Sequence, residues 1–242
     1  MNYQQAIDFL NSSPNYEILP RPAHTQANYD LRRVHELLAL LGNPHLKAKS
    51  VHITGSNGKG STSAMIASAL TASGYVTGLY ISPHLHTWRE RVQIDGKLIS
   101  EEEWAATVDR MKPHADDVNR RATYGKLTTF EMLTALGFAY FASKGVEFQV
   151  LEVGMGGKYD ATSVITPEVA ILTPISLEHT DVLGPTLTAI ASEKAAIIKP
   201  GSTVVTPPQP PEVEKVIEET SRKLGARRVK VGVDVTWQSL GF

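Results

Sequence analysis

Residues 55–62 read Gly55, Ser56, Asn57, Gly58, Lys59, Gly60, Ser61 and Thr62, the part of the sequence best equipped for chemistry. Binding a phosphate chain needs a backbone that approaches oxygen closely, a helix N-terminus with unpaired N–H groups, and a cation for the outer phosphates. Gly55, Gly58 and Gly60 carry no Cβ to block that approach. Lys59 stands where the next helix begins, and Ser61 or Thr62 can turn a hydroxyl to phosphate or magnesium. A glycine-rich turn with an incidental lysine is the plain alternative, and it leaves the hydroxyls and the strand-loop-helix setting without a reason. The strict pattern GxxxxGK[ST] is not met, because Ile53 holds the first glycine position and Gly60 follows the lysine. The loop is a variant form.

A second candidate is Glu152, the last polar residue of the apolar run Phe148, Gln149, Val150, Leu151, just before Gly154, Met155, Gly156 and Gly157. Magnesium takes oxygen ligands and keeps several waters, so one or two protein groups beside phosphate suffice. In a parallel sheet, ligands bind at the carboxyl ends of the strands, which turns Glu152 towards the phosphate loop.

The elements that position these residues follow from periodicity. Leu31, Val34, Leu37, Leu38 and Leu41 have helical spacing, closed by Gly42, Asn43 and Pro44. Residues 51–54 form a strand and residues 62–73 a small-residue helix. Residues 75–81 read as a strand, 100–111 as a helix opened by Ser100 with Glu103 three positions on, and 128–143 as a long apolar helix. Strands at 148–153 and 169–173, a helix at 186–198, a strand at 202–205, a helix at 211–224 and a strand at 228–231 continue the alternation. This order predicts an α/β fold, a mostly parallel sheet with helices on both faces, in one continuous domain over residues 1–242. Residues 207–211, four prolines around Gln209, read as a stiff turn.

Composition sets limits. Lys and Arg total 24 against 25 Asp and Glu, a net charge of −1, which offers nothing to nucleic acid or another polyanion. Cysteine is absent, which excludes disulfides, thiolate nucleophiles and Cys-ligated zinc or iron–sulfur sites. The N-terminus lacks a signal-peptide pattern and no run approaches the ~20 apolar residues of a membrane span. The expectation is a cytoplasmic monomer without a membrane or nucleic-acid partner.

The loop Thr54 to Ser61 resembles the phosphate loop of ATP-dependent amide-bond ligases, the group of folylpolyglutamate synthases and muramyl ligases. Gly60 and Ser61 after the lysine match the folate branch, where muramyl ligases typically have two threonines. Further blocks agree in order: Ser82, Pro83, His84 with Glu90, Arg91; Thr129, Phe130, Glu131; Glu152 to Gly157 with Asp160, Ala161, Thr162; Glu178, His179, Thr180; and Glu193, Lys194. The departures are Glu178 for a usual Asp, Ser163 for Asn, Lys158 and Tyr159 for Arg and Leu, and Asp30 for a frequent glycine.

The resemblance implies ATP held by Gly55, Asn57, Gly58, Lys59, Gly60, Ser61 and Thr62, and two magnesium ions, one on Ser82 and Glu152 and a second on His179. It implies a carbamylated Lys194 orienting ligands of the second ion. Lys59, Lys194 and His179 are then the catalytic residues. Thr128, Thr129, Phe130, Glu131, Tyr159, Asp160 and Ala161 would line the pterin site, Phe130 or Tyr159 stacking on the ring unless Phe130 is core. On bare sequence Ser82 reads as a turn residue, His179 as a surface or N-cap histidine, and Lys194 as a solvated lysine. His52, His84 and His86 form no triad with any serine.

The reaction implied is ATP-dependent addition of L-glutamate to a folate or to dihydropteroate through an acyl phosphate. The family normally carries a second α/β domain beyond a segment of this kind. Competing readings are a muramyl-type peptide ligase, a non-catalytic ATP-binding module and, more weakly, a P-loop kinase or ATPase.

Overall fold

The computed structural model describes residues 1–19, 25, 28–236 and 238. Its centre is one eight-stranded sheet of order β4-β3-β2-β5-β1-β6-β7-β8. The strands are β1 (Lys49–Thr54), β2 (Thr77–Tyr80), β3 (Val92–Ile94), β4 (Lys97–Leu98), β5 (Phe148–Glu152), β6 (Val169–Leu172), β7 (Thr203–Thr206) and β8 (Arg227–Lys230). From β2 to β8 every pairing is parallel, and β3 and β4 add an antiparallel edge. The α/β class, mostly parallel, is as the alternation requires. The antiparallel hairpin is an addition, turning at Asp95 and Gly96, both at positive φ.

The eight helices among the described residues are α1 (Tyr3–Asn11), α2 (Leu31–Leu40), α3 (Lys59–Ala72), α4 (Glu101–Arg121), α5 (Thr129–Ser143), α6 (Thr180–Leu183), α7 (Leu187–Ala195) and α8 (Pro211–Leu224). They divide unequally over the two faces, and the pleat shows how. Residues alternate sides along a strand, so Val51, Ile53, Leu79 and Val150 meet α3, while Tyr80 and Leu151 turn to the other side. There they join a core with α1, α2, α4 and α5. Ala170, Leu172 and Val204 lie on that same side and pack α7 and α8.

Several boundaries move. Helix α4 extends ten residues past Met111, through Pro113, because Ala115 and Val118 beyond the proline are fully buried and outweigh the lost backbone bond. Helix α1 was not anticipated: its buried residues are only Ala6, Ile7 and Leu10. The prolines at 207–211 form the stiff turn, and Gln209 fixes it by donating to the carbonyl of Thr173 (3.0 Å) and accepting the Ile175 amide (3.1 Å).

Candidate active site

Strand β1 delivers the phosphate loop. Gly55 has φ 146°, and a Cβ there would lie 1.8 Å from Thr173 Oγ1, so only glycine fits. The amides of Ser56 and Asn57 donate to the Pro174 carbonyl (3.0 and 3.4 Å), and the Ser56 hydroxyl donates to the Ser176 carbonyl (3.1 Å). The segment after β6 therefore holds the loop open. Gly58, at φ 82°, caps α3 with no side chain, leaving the first amides of a 14-residue helix without a side-chain cap. Lys59 curls over the loop, its Nζ donating to the Gly55 carbonyl (3.0 Å). Helix α3 begins at Lys59 rather than at Thr62, so Lys59, Gly60 and Ser61 belong to its first turn.

Glu152 ends β5 beside β1, and a Cβ on Gly60 would sit 3.5 Å from both its carboxylate oxygens. The missing side chain at Gly60 thus keeps the space between carboxylate and loop open. Glu152 is 5% exposed and accepts the Ser82 amide at 3.0 Å. Burial pushes its carboxyl above the ordinary value, while the Ser82 amide and the charge of Lys59 pull it back down. Among the described residues no three His, Asp or Glu side chains form a cation cage. A magnesium ion here fits only as a shared ligand of Glu152, phosphate oxygens and water.

Lys194 is not the solvated lysine of the plain reading. It is 1% exposed, donates to the Gly55 carbonyl (2.8 Å) and pairs with Glu178 at 2.6 Å. Burial lowers its pKa, and the hydrogen bond and charge of Glu178 offset only part of that. Glu178 experiences burial in the opposite sense, but Lys194 outweighs it and holds the carboxyl below its usual range. His179 is exposed and caps the short α6 at φ 45°.

On the far side of Ser82 lies a cavity of about 240 Å³. The start of α5 provides Thr128, Phe130 and Glu131; the turn after β5 provides Gly154, Tyr159, Asp160 and Ala161; Ser82 and Pro83 form the edge nearest Glu152. Phe130 settles both of its alternatives at once. Its ring packs edge-on against Tyr80 at 6.2 Å, and it also lines the cavity. A Cβ on Gly154 would strike that ring at 2.6 Å, so glycine makes the room.

One assignment needs correction. Thr129 does not line the cavity: one step along the helix turns it by about 100°, and its hydroxyl donates to the carbonyls of Leu10 (3.1 Å) and Ser13 (3.0 Å). Three other lining residues are also structural. Thr128 and Glu131 form the capping box of α5, and Glu131 takes both oxygens to buried Arg33 at 2.9 Å. Asp160 accepts the amides of Gly154 and Met155 and so shapes the turn. Its partner Thr162 reaches His52 Nε2 at 2.8 Å, which places His52, fully buried and with its pKa lowered to about 3 by desolvation, in the scaffold.

Sequence reasoning missed Tyr16, Glu17 and Tyr29, which close the cavity from the segment between α1 and α2. It places Arg91 in a family block without a role, whereas Arg91 is a buried guanidinium paired with Glu17 across 74 residues of sequence. Nothing in local spacing announces either.

The model of the Mur ligase middle domain matches residues 53–235. The chain is 39% identical to the dihydrofolate synthase/folylpolyglutamate synthase of Bacillus subtilis over 225 residues, 93% of this chain and 50% of that protein. It is 38% identical to the folylpolyglutamate synthase of Lacticaseibacillus casei over 97% of this chain and 53% of that one. The chain belongs to the Mur ligase family, in its folylpolyglutamate synthase branch. The apo form of the L. casei synthase superposes with a TM-score of 0.88 at 38% identity, covering 96% of this chain and 55% of that one. A synthase complex with AMPPCP and folate superposes equally well, at 0.88 and 37% identity over the same shares. The chain spans about half the length of the curated relatives it matches. Tyr16, Glu17 and Tyr29 precede the residues that the family model covers.

Proposed function

We propose that this chain is the nucleotide- and pterin-binding domain of an ATP-dependent ligase that adds L-glutamate to a folate or to dihydropteroate. The observation that carries the reading is Ser82: its amide holds Glu152 beside the phosphate loop, and the same residue edges the ring-lined cavity. An acceptor whose ring occupies the cavity would extend its carboxylate past Ser82 towards the outer phosphate. The relatives crystallised with AMPPCP and with folate support the same pairing of ligands.

A free carboxylate resists amines because it is anionic and its leaving group would be oxide. In the proposed reaction a carboxylate oxygen of the acceptor bonds to the γ-phosphorus and the bond to ADP breaks. The glutamate amine then bonds to the acyl carbon, and phosphate leaves. Catalysis is positioning and charge neutralisation. The amides of residues 58–61 and Lys59 bind the phosphates, with Gly55 and Asn57 shaping the loop and Ser61 or Thr62 offering a hydroxyl. Glu152 with Ser82 is assigned to one magnesium ion and His179 to a second; bound there, the ions would neutralise phosphate charge. Phe130, Tyr159 and Ala161 are assigned to the ring.

Lys194 has two exclusive roles. As an ammonium it ties Glu178 to the loop through the Gly55 carbonyl. As a carbamate it would stand as an anion beside Glu178, a pairing tolerable only with a cation between them. Its burial favours the neutral amine that carbon dioxide requires. Labelled bicarbonate followed by NMR distinguishes the two roles. We place the protein in the cytoplasm as a monomer with small-molecule partners. Among the described residues no helix is long and apolar enough to cross a membrane.

Calorimetry with magnesium-ATP and with pteroate tests the assignment. Both should bind, and Lys59→Ala should remove most nucleotide affinity while the circular dichroism spectrum stays native. Unchanged nucleotide binding by that variant would sink the loop assignment. Glutamate incorporation into a folate but not into a UDP-muramyl acceptor separates this reading from a muramyl-type ligase, and nucleotide binding with no turnover on any acceptor would favour a non-catalytic module.

A further inference from the structure

Three carboxyl groups line the cavity among the described residues, and the protein takes up four acceptor positions of one and three of another, both buried. Asp160 is 6% exposed; Oδ2 accepts the Gly154 and Met155 amides, and Oδ1 accepts the amide and hydroxyl of Thr162. Glu131 is 4% exposed, with Arg33 on both oxygens and the Thr128 amide on one. Glu17 differs. Its side chain is 31% exposed, and each oxygen receives a single N–H from Arg91, at 2.9 and 2.7 Å. An ionised carboxylate offers about four acceptor positions, so two remain.

Arg91 makes this carboxylate a fixed one. The guanidinium is 1% exposed, lies 5.1 Å from the Trp88 ring, and donates through Nε to His84 Nδ1 at 2.9 Å. A charge buried to that degree does not swing out, and a bidentate partner is held in its plane. Aromatic walls such as Tyr16, Tyr29, Phe130 and Tyr159 accept any flat ring. An anchored carboxylate with an acceptor position left among them selects a ring carrying an amino donor at its edge.

We infer that Glu17 is a specificity-determining residue that accepts a hydrogen bond from the 2-amino group of a 2-amino-4-oxo-pteridine acceptor. This rests on the pterin reading of the cavity. Arg91 occupies the edge on which a carboxylate takes two parallel donors, so each oxygen keeps one outward position for a single N–H, and the bond is charge-assisted without a charged ligand. Glu17 precedes the residues that the Mur ligase model matches, which fits a determinant of acceptor choice added to a general ATP-binding core.

The test is a cycle of two ligands and two proteins, read by calorimetry. Pteroate should bind the unaltered chain roughly 10- to 100-fold more tightly than its 2-desamino-2-methyl analogue, which keeps N3–H and loses the amino donors. Glu17→Gln should bring the two affinities to within about threefold of each other, with magnesium-ATP affinity unchanged. A group that only neutralised Arg91 would weaken both ligands equally and keep the preference, and that result overturns the inference. So does equal binding of the two ligands by the unaltered chain. Binding of neither ligand by the unaltered chain sinks the pterin reading itself, a distinguishable failure. Should Glu17→Gln melt early beside an unpaired Arg91, Glu17→Asp keeps the charge but cannot span both partners. A lost preference there supports the assignment and a retained one overturns it.

Discussion

The phosphate loop and the ring-lined cavity meet at Ser82 but are made from different parts of the polypeptide. The loop is backbone: glycines at 55, 58 and 60, the first amides of α3, and the amides of Ser56 and Asn57 latched to the Pro174 carbonyl after β6. The cavity is side chains drawn from four places in the sequence, with Asp160, Glu131 and Arg33 spending their polarity on holding it in shape. A backbone site fails when its path changes and tolerates most side-chain changes. A side-chain site does the reverse.

The largest effect should follow from changing the path of the loop. Gly55→Ala puts a methyl 1.8 Å from Thr173 Oγ1 at φ 146°, and Thr173 cannot yield freely because its hydroxyl donates to the Thr54 carbonyl at 3.2 Å. A loss of more than about 3 kcal/mol is expected, measured by denaturant unfolding, together with loss of nucleotide binding. A native melting curve with intact nucleotide affinity would refute the backbone account. Next comes Glu152→Gln, which keeps the shape and removes the charge. Magnesium-dependent nucleotide affinity should fall roughly 10- to 100-fold, while affinity measured without magnesium stays the same. Because burial raises the Glu152 pKa, the sign follows: the ionised form that a cation needs is gained as pH rises through that raised value. Magnesium-dependent binding should therefore strengthen with pH over a range above the ordinary carboxylate value, and the Gln variant should lack that rise.

On the cavity side, Phe130→Leu removes a ring that both packs on Tyr80 and faces the ligand. Acceptor affinity should weaken by about 1 kcal/mol, nearly sixfold, with nucleotide affinity unaffected. Equal weakening of both ligands would mean that Phe130 is core alone.

The same contrast explains what could be read before the structure. A backbone site is contiguous, so Gly55 to Ser61 is visible as spacing, and the strand that delivers it is visible as an apolar run. The starts of α4 and α5 carry Ser100 with Glu103 and Thr128 with Glu131, each a capping box. Side-chain pairs across the fold leave no such trace. Glu178 stood out only as a departure from the family's usual Asp, and its reason, Lys194, lies one helix away. Thr129 departs from its neighbours because a helix turns adjacent residues to different sides, so a contiguous block of sequence is not one surface. The β3–β4 hairpin did carry the Asp95–Gly96 signal, but strands of three and two residues are too short for periodicity to register.

The smallest expected effect lies between the two regions, in the segment 84–87. Glu90 accepts the amides of Leu85, His86 and Thr87 at 2.8, 2.8 and 2.7 Å, fixing the stretch between Ser82 and Arg91. These amides, that of Leu85 foremost, lower its pKa from 4.5 to about 2. A carboxyl whose folded pKa is depressed contributes stability that is present in full above its unfolded value and is lost as pH falls through its folded value. Glu90→Gln should lower the melting temperature by only about 2 °C at neutral pH, since the carboxylate is solvated and its amide replacement still accepts. That difference should persist down to pH 4.5 and fade between pH 4.5 and about 2 as the native carboxyl takes its proton. A difference that holds constant through this window would show that Glu90 acts by shape rather than charge. If acceptor and nucleotide affinities fall together in this variant, the segment couples the two regions; if only the melting temperature moves, Ser82 keeps its place without help from Glu90.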